Sequence, residues 1–159
     1  MNSKTKNRKK ISYGEGDETN LKLVVTLNRC LQALRKRELP VIKEAGLTMP
    51  QFGVLELLYH KGSFKINEII IKTLSTGGNM TVVIDNLVKR GLVERINCDS
   101  DRRSQFIELT VKGSKLIQEL FPKHIDNLGN VLSVLSRDEK LMMISLAKKL
   151  GVSLADISD

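Results

Sequence analysis

The sequence is poor in aromatic residues, with four phenylalanines, two tyrosines and no tryptophan among 159 residues. Proteins that read single-stranded RNA stack unpaired bases on aromatic side chains, so this scarcity disfavours sequence-specific RNA binding. Long apolar runs are also missing. Because a membrane-spanning helix needs roughly 20 consecutive apolar residues, no membrane partner is expected.

Motifs that carry catalysis or bind metal ions are missing as well. The chain has no P-loop, no HExxH sequence and no nucleophile elbow, so an enzyme is not expected. His60 and His124 are far apart and lack other ligands at metal-binding spacing. Each is predicted to be a surface or core-edge residue rather than a metal ligand. We therefore expect no metal and no other cofactor.

There are only two cysteines, Cys30 and Cys98, and they form no CxxC motif. This fits a reducing cytoplasm, where we expect the protein, and predicts no disulfide framework. Cys30 lies on an apolar stripe and is predicted to be a core thiol. Cys98 has both carboxylates and arginines nearby in sequence, which act in opposite directions on thiolate formation. A thiol-based sensor of oxidants or electrophiles is therefore an alternative function.

Positive charge is in excess, with 26 lysines and arginines against 18 acidic residues and a net charge of +8. Such an excess favours a polyanionic partner. Five of the positive charges lie within residues 4–10, which leaves +3 for the rest of the chain. No apolar region follows this start, so a secretory signal is not expected. Residues 1–16 are predicted to be a disordered basic arm, and non-specific phosphate contact is its alternative role.

Residues 74–110 organise the rest of the chain. Ser75 and Thr76 are residue types that begin helices, and Gly91 is a type that ends them. Between them, apolar residues recur every three or four positions and predict one buried helix face. These residues are Met80, Val83, Ile84 and Leu87. The opposite face is small, polar and lightly charged, and it holds Asn79, Val82 and Asn86, flanked by Gly78, Thr81 and Lys89.

Two strand-like runs come after this helix, at residues 92–96 and 105–109, and a polar tip with Arg102 and Arg103 separates them. A helix of this kind fits the DNA major groove, and arginines at a hairpin tip can reach the adjacent minor groove. Upstream, Thr48 and Gln51 predict a capping box, and residues 65–73 predict a short helix. Together these elements predict a winged helix-turn-helix.

The outer parts of the chain predict long amphipathic helices. The first begins near Asp17, and Pro40 is expected to end or kink it. Thr110 is expected to cap the start of a second long helix. Ser136 and Glu139 are expected to form a capping box at the start of the last helix, and Gly151 is expected to end that helix. Their apolar stripes exceed what a small winged domain can cover, so a second copy of the chain is the expected partner.

The central residues resemble the MarR family of winged helix-turn-helix transcription regulators. The resemblance is carried by Thr81, Asp85, Leu87, residues 90–93, residues 101–103, residues 109–110 and Gly113, with residues 47–52 upstream. The family's D-x-R wing signature falls on Asp101 and Arg103. The resemblance implies a dimer formed by the N- and C-terminal helices. It also implies release from DNA by a phenolic or other aromatic compound, and residues 55–59 and 77–79 are similar to the phenol- and quinone-responsive branch.

The expected fold is mainly α with a small β-wing: a winged helix-turn-helix lobe at residues 47–110 and a dimerisation lobe at 17–46 and 111–151, within one domain at 17–159. The expected function is a homodimeric repressor on a pseudo-palindromic operator in double-stranded DNA. A winged-helix protein-interaction module is the other alternative. The expected DNA contacts are Ser63, Lys65, Lys72, Thr76, Gly78, Asn79, Thr81, Val82, Asn86, Arg102 and Arg103. Asp85 and Asp101 are expected to orient the wing arginines.

Overall fold

The structure, a computed structural model, describes residues 14–73, 77–98 and 101–156, and for residues 98, 101–104 and 154–156 it describes the backbone alone. The chain divides into two compact units, residues 1–36 and 37–159. The elements in order are α1 (Glu15–Glu44), α2 (Met49–Lys61), β1 (Phe64–Lys65), α3 (Ile66–Thr73), α4 (Gly77–Lys89), β2 (Val93–Cys98), β3 (Asp101–Leu109), α5 (Val111–Val131) and α6 (Arg137–Asp156). The expected class, mainly α with a small β-wing, is confirmed.

The part of α1 that lies in the first unit exposes its apolar side chains. Acidic residues in its first turn suit the positive end of the helix dipole. The large apolar side chains exposed along it are Leu21, Leu23, Val24, Val25, Leu27 and Leu31. Cys30 lies among them and is exposed. The prediction of a core thiol is therefore wrong for the single chain, because the apolar stripe that carries Cys30 is not covered.

The C-terminal part of α1 belongs to the second unit and is anchored there. An end or a kink was expected at Pro40; the helix continues through this residue, so the first of these two outcomes is wrong. The helix ends before Gly46, whose φ of 67° is a conformation that glycine adopts without strain. Leu47 N–H donates to the Ile42 carbonyl at 3.2 Å across this end. Ile42 is fully buried, so core packing holds the last turn despite the hydrogen bond that proline removes.

Helices α2, α3 and α4 surround one apolar core in the second unit. The capping box of α2 is confirmed: Gln51 N–H donates to Thr48 Oγ1 at 3.4 Å, and Thr48 N–H donates to Gln51 Oε1 at 3.0 Å. The buried side chains of this core include Ile42, Phe52, Val54, Leu55, Leu58, Ile69, Met80, Ile84, Leu87, Ile107 and Ile117. This packing fixes α3 and α4 as the two helices of the helix-turn-helix.

The three strands form one antiparallel sheet in the order β1-β3-β2. β1 was not predicted, since Lys65 was expected to begin a helix; instead Lys65 pairs with Phe106 on β3. A strand of two residues is too short to show a period of its own, and long-range pairing creates it. β2 and β3 also extend into residues 97–98 and 101–104, which were expected to form a loop. The Asn97–Gln105 pair supports this extension through a side-chain hydrogen bond of 3.2 Å.

Helix α5 starts where the sequence indicates and packs closely against the wing. Thr110 is its N-cap, and Gly113 N–H donates to the Thr110 hydroxyl at 3.0 Å. A Cβ at Gly113 would overlap the carbonyl of Leu92, so a side chain there is excluded without movement of the backbone. Pro122 lies inside the helix, as predicted. The glycine therefore sets the distance between α5 and the start of β2.

Helix α6 has the predicted start and a different end. Ser136 N–H donates to the Glu139 carboxylate at 2.7 Å, and Glu139 N–H donates to the Ser136 hydroxyl at 3.3 Å. The hydrogen bond from the Ser136 backbone, and after it the interaction of the Ser136 hydroxyl with the carboxylate, hold the pKa of Glu139 below its usual value. The prediction that Gly151 ends the helix is wrong, because α6 continues to Asp156. No helix in the described ranges is both long and apolar enough to cross a membrane.

Candidate nucleic-acid interface

Helix α4 has one buried and one exposed face, as predicted. Met80, Ile84 and Leu87 are buried in the core. The exposed residues on its other side are Gly78, Asn79, Thr81, Val82 and Asn86, with Lys89 at the C-terminal end. Val82 is 58% exposed although it is apolar, and the Thr81 hydroxyl donates to the Gly77 carbonyl at 3.2 Å. The exposed face thus offers two amides and the methyl groups of a valine, and of these residues only Lys89 carries a formal charge.

The C-terminal end of α4 is held by three long-range hydrogen bonds. Gly91 ends the helix with a φ of 65°, as predicted. The Arg90 guanidinium donates to the Gly46 carbonyl at 2.8 Å, and Lys112 Nζ donates to the Arg90 carbonyl at 2.8 Å. Thr110 Oγ1 donates to the Gly91 carbonyl at 2.7 Å. Sequence reasoning assigned no role to Arg90 or Lys112, because their partners are far away in sequence.

An ion pair joins α4 to the wing. Arg95 Nη2 on β2 lies 2.6 Å from Asp85 Oδ1 on α4, and their side chains are 33% and 44% exposed. Arg95 stands opposite Ile107, which is buried, so Arg95 starts from the sheet face that packs towards the core. Asp85 or Asp101 was expected to hold the guanidinium of Arg103, and the structure pairs Asp85 with Arg95 instead. The side chains of Asp101, Arg102 and Arg103 lie outside the described residues.

Lysine side chains flank the helix-turn-helix. Lys65 and Lys72 are exposed, as a phosphate contact requires, and so is Ser63 just before β1. Lys65 Nζ lies 5.6 Å from the centre of the Phe106 ring, and Lys72 Nζ lies 5.0 Å from that of Phe64. Backbone N–H of Lys65 also donates to the Glu68 carboxylate at 2.8 Å, which fixes the start of α3. Ser75 and Thr76, expected to begin α4, lie outside the described residues.

The two histidines have different surroundings, and one differs from its prediction. His60 is exposed, whereas His124 is buried and not at a surface or core edge. Its ring lies 4.7 Å from that of Phe52, and its Nε2 is 3.9 Å from Glu38. Over the ranges that the structure describes, no three His, Cys, Asp or Glu side chains are grouped as metal ligands would be. The Cys98 side chain is not among those described.

Comparisons with known proteins agree with this geometry. Residues 47–105 match the MarR family. The HTH-type transcriptional regulator MhqR of Bacillus subtilis is 35% identical over 136 residues, which are 86% of this chain and 94% of MhqR.

Two solved structures show how far the similarity of fold extends. BpsR of Bordetella bronchiseptica, whose DNA binding is regulated by 6-hydroxynicotinic acid, is 25% identical with a TM-score of 0.73, over 79% of this chain and 90% of BpsR. NadR in complex with 4-hydroxyphenylacetate is 23% identical with a TM-score of 0.71, over 89% of this chain and 96% of NadR. The expected winged helix-turn-helix fold is confirmed.

Proposed function

This chain belongs to the MarR family, and from that premise we propose that it is a homodimeric repressor that binds a pseudo-palindromic DNA operator and leaves it when a small aromatic ligand binds. The observation that carries the proposal is the exposed face of α4. It is small and polar, with Lys89 as its one basic residue, while the opposite face of the same helix is buried in the core. A helix with such a face suits insertion into the DNA major groove.

The proposed base contacts come from four residues of that face. Asn79 and Asn86 carry amides that can bond both the N6 and N7 positions of adenine. Val82 can contact a thymine methyl group, since more than half of its side chain is exposed. Thr81 keeps acceptor capacity, because its hydroxyl donates within α4. These chemistries together favour an operator that is rich in A·T pairs where α4 contacts it.

The proposed backbone contacts surround the reading helix. Ser63, Lys65 and Lys72 would bond phosphates, and Thr76 and Gly78 would bring the start of α4 close to the DNA backbone. Arg102 and Arg103 would enter the minor groove from the wing. Asp101 and Asp85 would orient wing arginines, a role that the Asp85–Arg95 pair supports for Asp85.

Dimerisation is proposed because exposed apolar side chains line α6 as well as the first part of α1. On α6, Met143, Leu146 and Leu150 share one face and are each at least 44% exposed. Met143→Glu should therefore convert the dimer to a monomer in analytical ultracentrifugation. Ser145→Glu adds the same charge on the face near Lys148 and should leave the dimer intact. A Met143→Glu variant that still sediments as the parent does would refute this interface.

The ligand class is proposed from the comparisons. The BpsR and NadR structures name 6-hydroxynicotinic acid and 4-hydroxyphenylacetate, which are both small aromatic acids that carry a hydroxyl group. The sequence of this chain resembles the phenol- and quinone-responsive branch at residues 55–59 and 77–79. We therefore propose a small hydroxylated aromatic compound as the effector. Titrating such compounds into a preformed DNA complex, with aliphatic acids as the control, would test this class.

Two variants test the DNA-binding proposal. Arg103→Ala should weaken binding by about 1–3 kcal/mol and lower the slope of log affinity against log salt by about one for each phosphate that the protein no longer touches. Asn79→Ala should relax preference at one base position per half-site and leave the slope nearly unchanged, because an uncharged base contact releases no counterion. Filter-binding titrations across a salt series measure both. If the parent shows no salt-dependent affinity for DNA, the protein-interaction alternative takes the place of this proposal.

A further inference from the structure

Two lysines next to the helix-turn-helix stand over aromatic rings. Lys72 Nζ on α3 is 5.0 Å from the centre of the Phe64 ring, and Lys65 Nζ on β1 is 5.6 Å from that of Phe106. Both distances are within the ~6 Å at which a cation is attracted by the ring face. The chain has only four phenylalanines, and two of them lie under these lysines.

The pairing of β1 with β3 determines the positions of the Phe64 and Phe106 rings. Phe106 stands directly opposite Lys65 in the β1–β3 ladder, and directly opposed residues share one face of a sheet. Phe64 is opposite Ile107, a fully buried residue, and its own ring packs partly against the core. Both rings are half-buried. They are therefore better fixed than the lysine stems above them.

The ammonium groups of both lysines remain available for contact with a phosphate. Both lysine side chains are exposed, and neither has a carboxylate within ion-pair distance among the described side chains. A lysine stem has many rotamers, and ordering it on a phosphate opposes binding. A ring that already restricts the lysine side chain reduces the conformational entropy lost on binding, and it leaves the positive charge in place.

We propose that Phe64 and Phe106 are positioning residues for DNA binding, which hold the ammonium groups of Lys72 and Lys65 ready for phosphate. This role rests on the proposed function, since it assumes that the two lysines contact DNA. It adds two uncharged aromatic residues, neither of which touches DNA itself, to the determinants of affinity. It applies equally to all DNA sequences, because phosphates carry no base information.

The test is a double-mutant cycle on Lys65 and Phe106, measured on a random-sequence DNA duplex across a salt series. Lys65→Gln should lower the salt slope by about 0.9 per protomer. Phe106→Leu should weaken binding about two- to five-fold per protomer, the range of an exposed cation–π pair, with the slope unchanged. Phe106→Tyr, which keeps the ring face, should bind as the parent does. In the Lys65→Gln background, Phe106→Leu should have no further effect.

Each outcome separates this role from a structural one. An equal loss of affinity for Phe106→Leu with and without Lys65 would show that Phe106 acts through folding, and would overturn the inference alone. An unchanged salt slope for Lys65→Gln would overturn it too. A parent that does not bind the duplex would overturn the proposed function and this role with it. In the free protein, the ring should shift the ε-methylene protons of Lys65 upfield in NMR spectra, and Phe106→Leu should abolish that shift.

Discussion

For the two variants that break the Asp85–Arg95 ion pair, we predict opposite changes in affinity for DNA and the same change in specificity. Asp85→Asn removes a negative charge from α4, the helix proposed to read DNA, and frees a guanidinium, so affinity for random-sequence DNA should rise. Arg95→Gln removes a positive charge, so the same affinity should fall. Both variants break the 2.6 Å ion pair that joins α4 to β2. Discrimination between operator and random DNA should therefore fall in both.

The size of that decrease depends on the exposure of the pair. With side chains 33% and 44% exposed, the pair contributes about 0–1 kcal/mol to folding. Breaking the pair cannot remove more free energy than the pair supplies. The operator-to-random ratio should then fall by at most ~1 kcal/mol, about five-fold. The unfolding free energy should fall by no more than the same amount.

The assay is a pair of binding titrations for each variant, on operator and on random duplex, with urea denaturation of the same preparations. Two results would refute the reasoning. One is that both variants keep the parent's ratio of operator to random-DNA affinity, since the ion pair would then orient no group that contacts DNA. The other is that the two variants change random-DNA affinity in the same direction, since the charge argument requires opposite signs.

Two further predictions concern stability. Gly113→Ala should lower the unfolding free energy by about 1–3 kcal/mol in urea denaturation, because its Cβ would overlap the Leu92 carbonyl. Gly129→Ala, in open space on the same helix, should raise it by about 0.5–1 kcal/mol; the reverse order would contradict the packing described. The pKa of Glu139 is lowered by Ser136, so its stabilising contribution is present above the ordinary glutamate pKa and is lost as pH falls through the folded pKa. Glu139→Gln should therefore be less stable than the parent at neutral pH, and the gap should close in acid; a gap independent of pH would contradict this linkage.

The sequence alone predicts the features that depend on near neighbours. The spacing of Met80 and Leu87 against Asn79 and Asn86 predicts both faces of α4, because a helix repeats every 3.6 residues. The capping boxes predicted at Thr48 and at Ser136 are also correct, because they depend on residues close together in sequence. A capping box closes within four residues and needs no distant partner.

Helix ends marked by glycine or proline depend on the tertiary packing around them. Gly91 ends α4 because Leu92 must turn into the sheet, and Thr110 and Lys112 bind the freed carbonyls. Gly151 stands in a similar local sequence, yet α6 passes through it. Pro40 is likewise passed, since the buried Ile42 beyond it holds the helix. Local residue types therefore indicate where a helix can end, and tertiary packing determines whether it ends there.

The remaining features come from contacts between residues that are far apart in sequence. β1 exists because β3 pairs with it, and the Lys65–Phe106 contact exists because of that pairing. The Arg90–Gly46 bond and the Asp85–Arg95 pair likewise depend on how helices and strands pack. Residue types suggest that such charges have partners, but only the fold selects which ones.

Selection of bound sequences from a random DNA pool tests the central claim most directly. Symmetric dimers bind two half-sites one helical turn apart, about 10–10.5 base pairs from centre to centre. The full-length protein should therefore enrich a palindromic consensus with that spacing, and Asn79→Ala should lose information at one position in each half. Enrichment of no sequence, or of a single site without symmetry, would contradict a homodimer that reads DNA with α4.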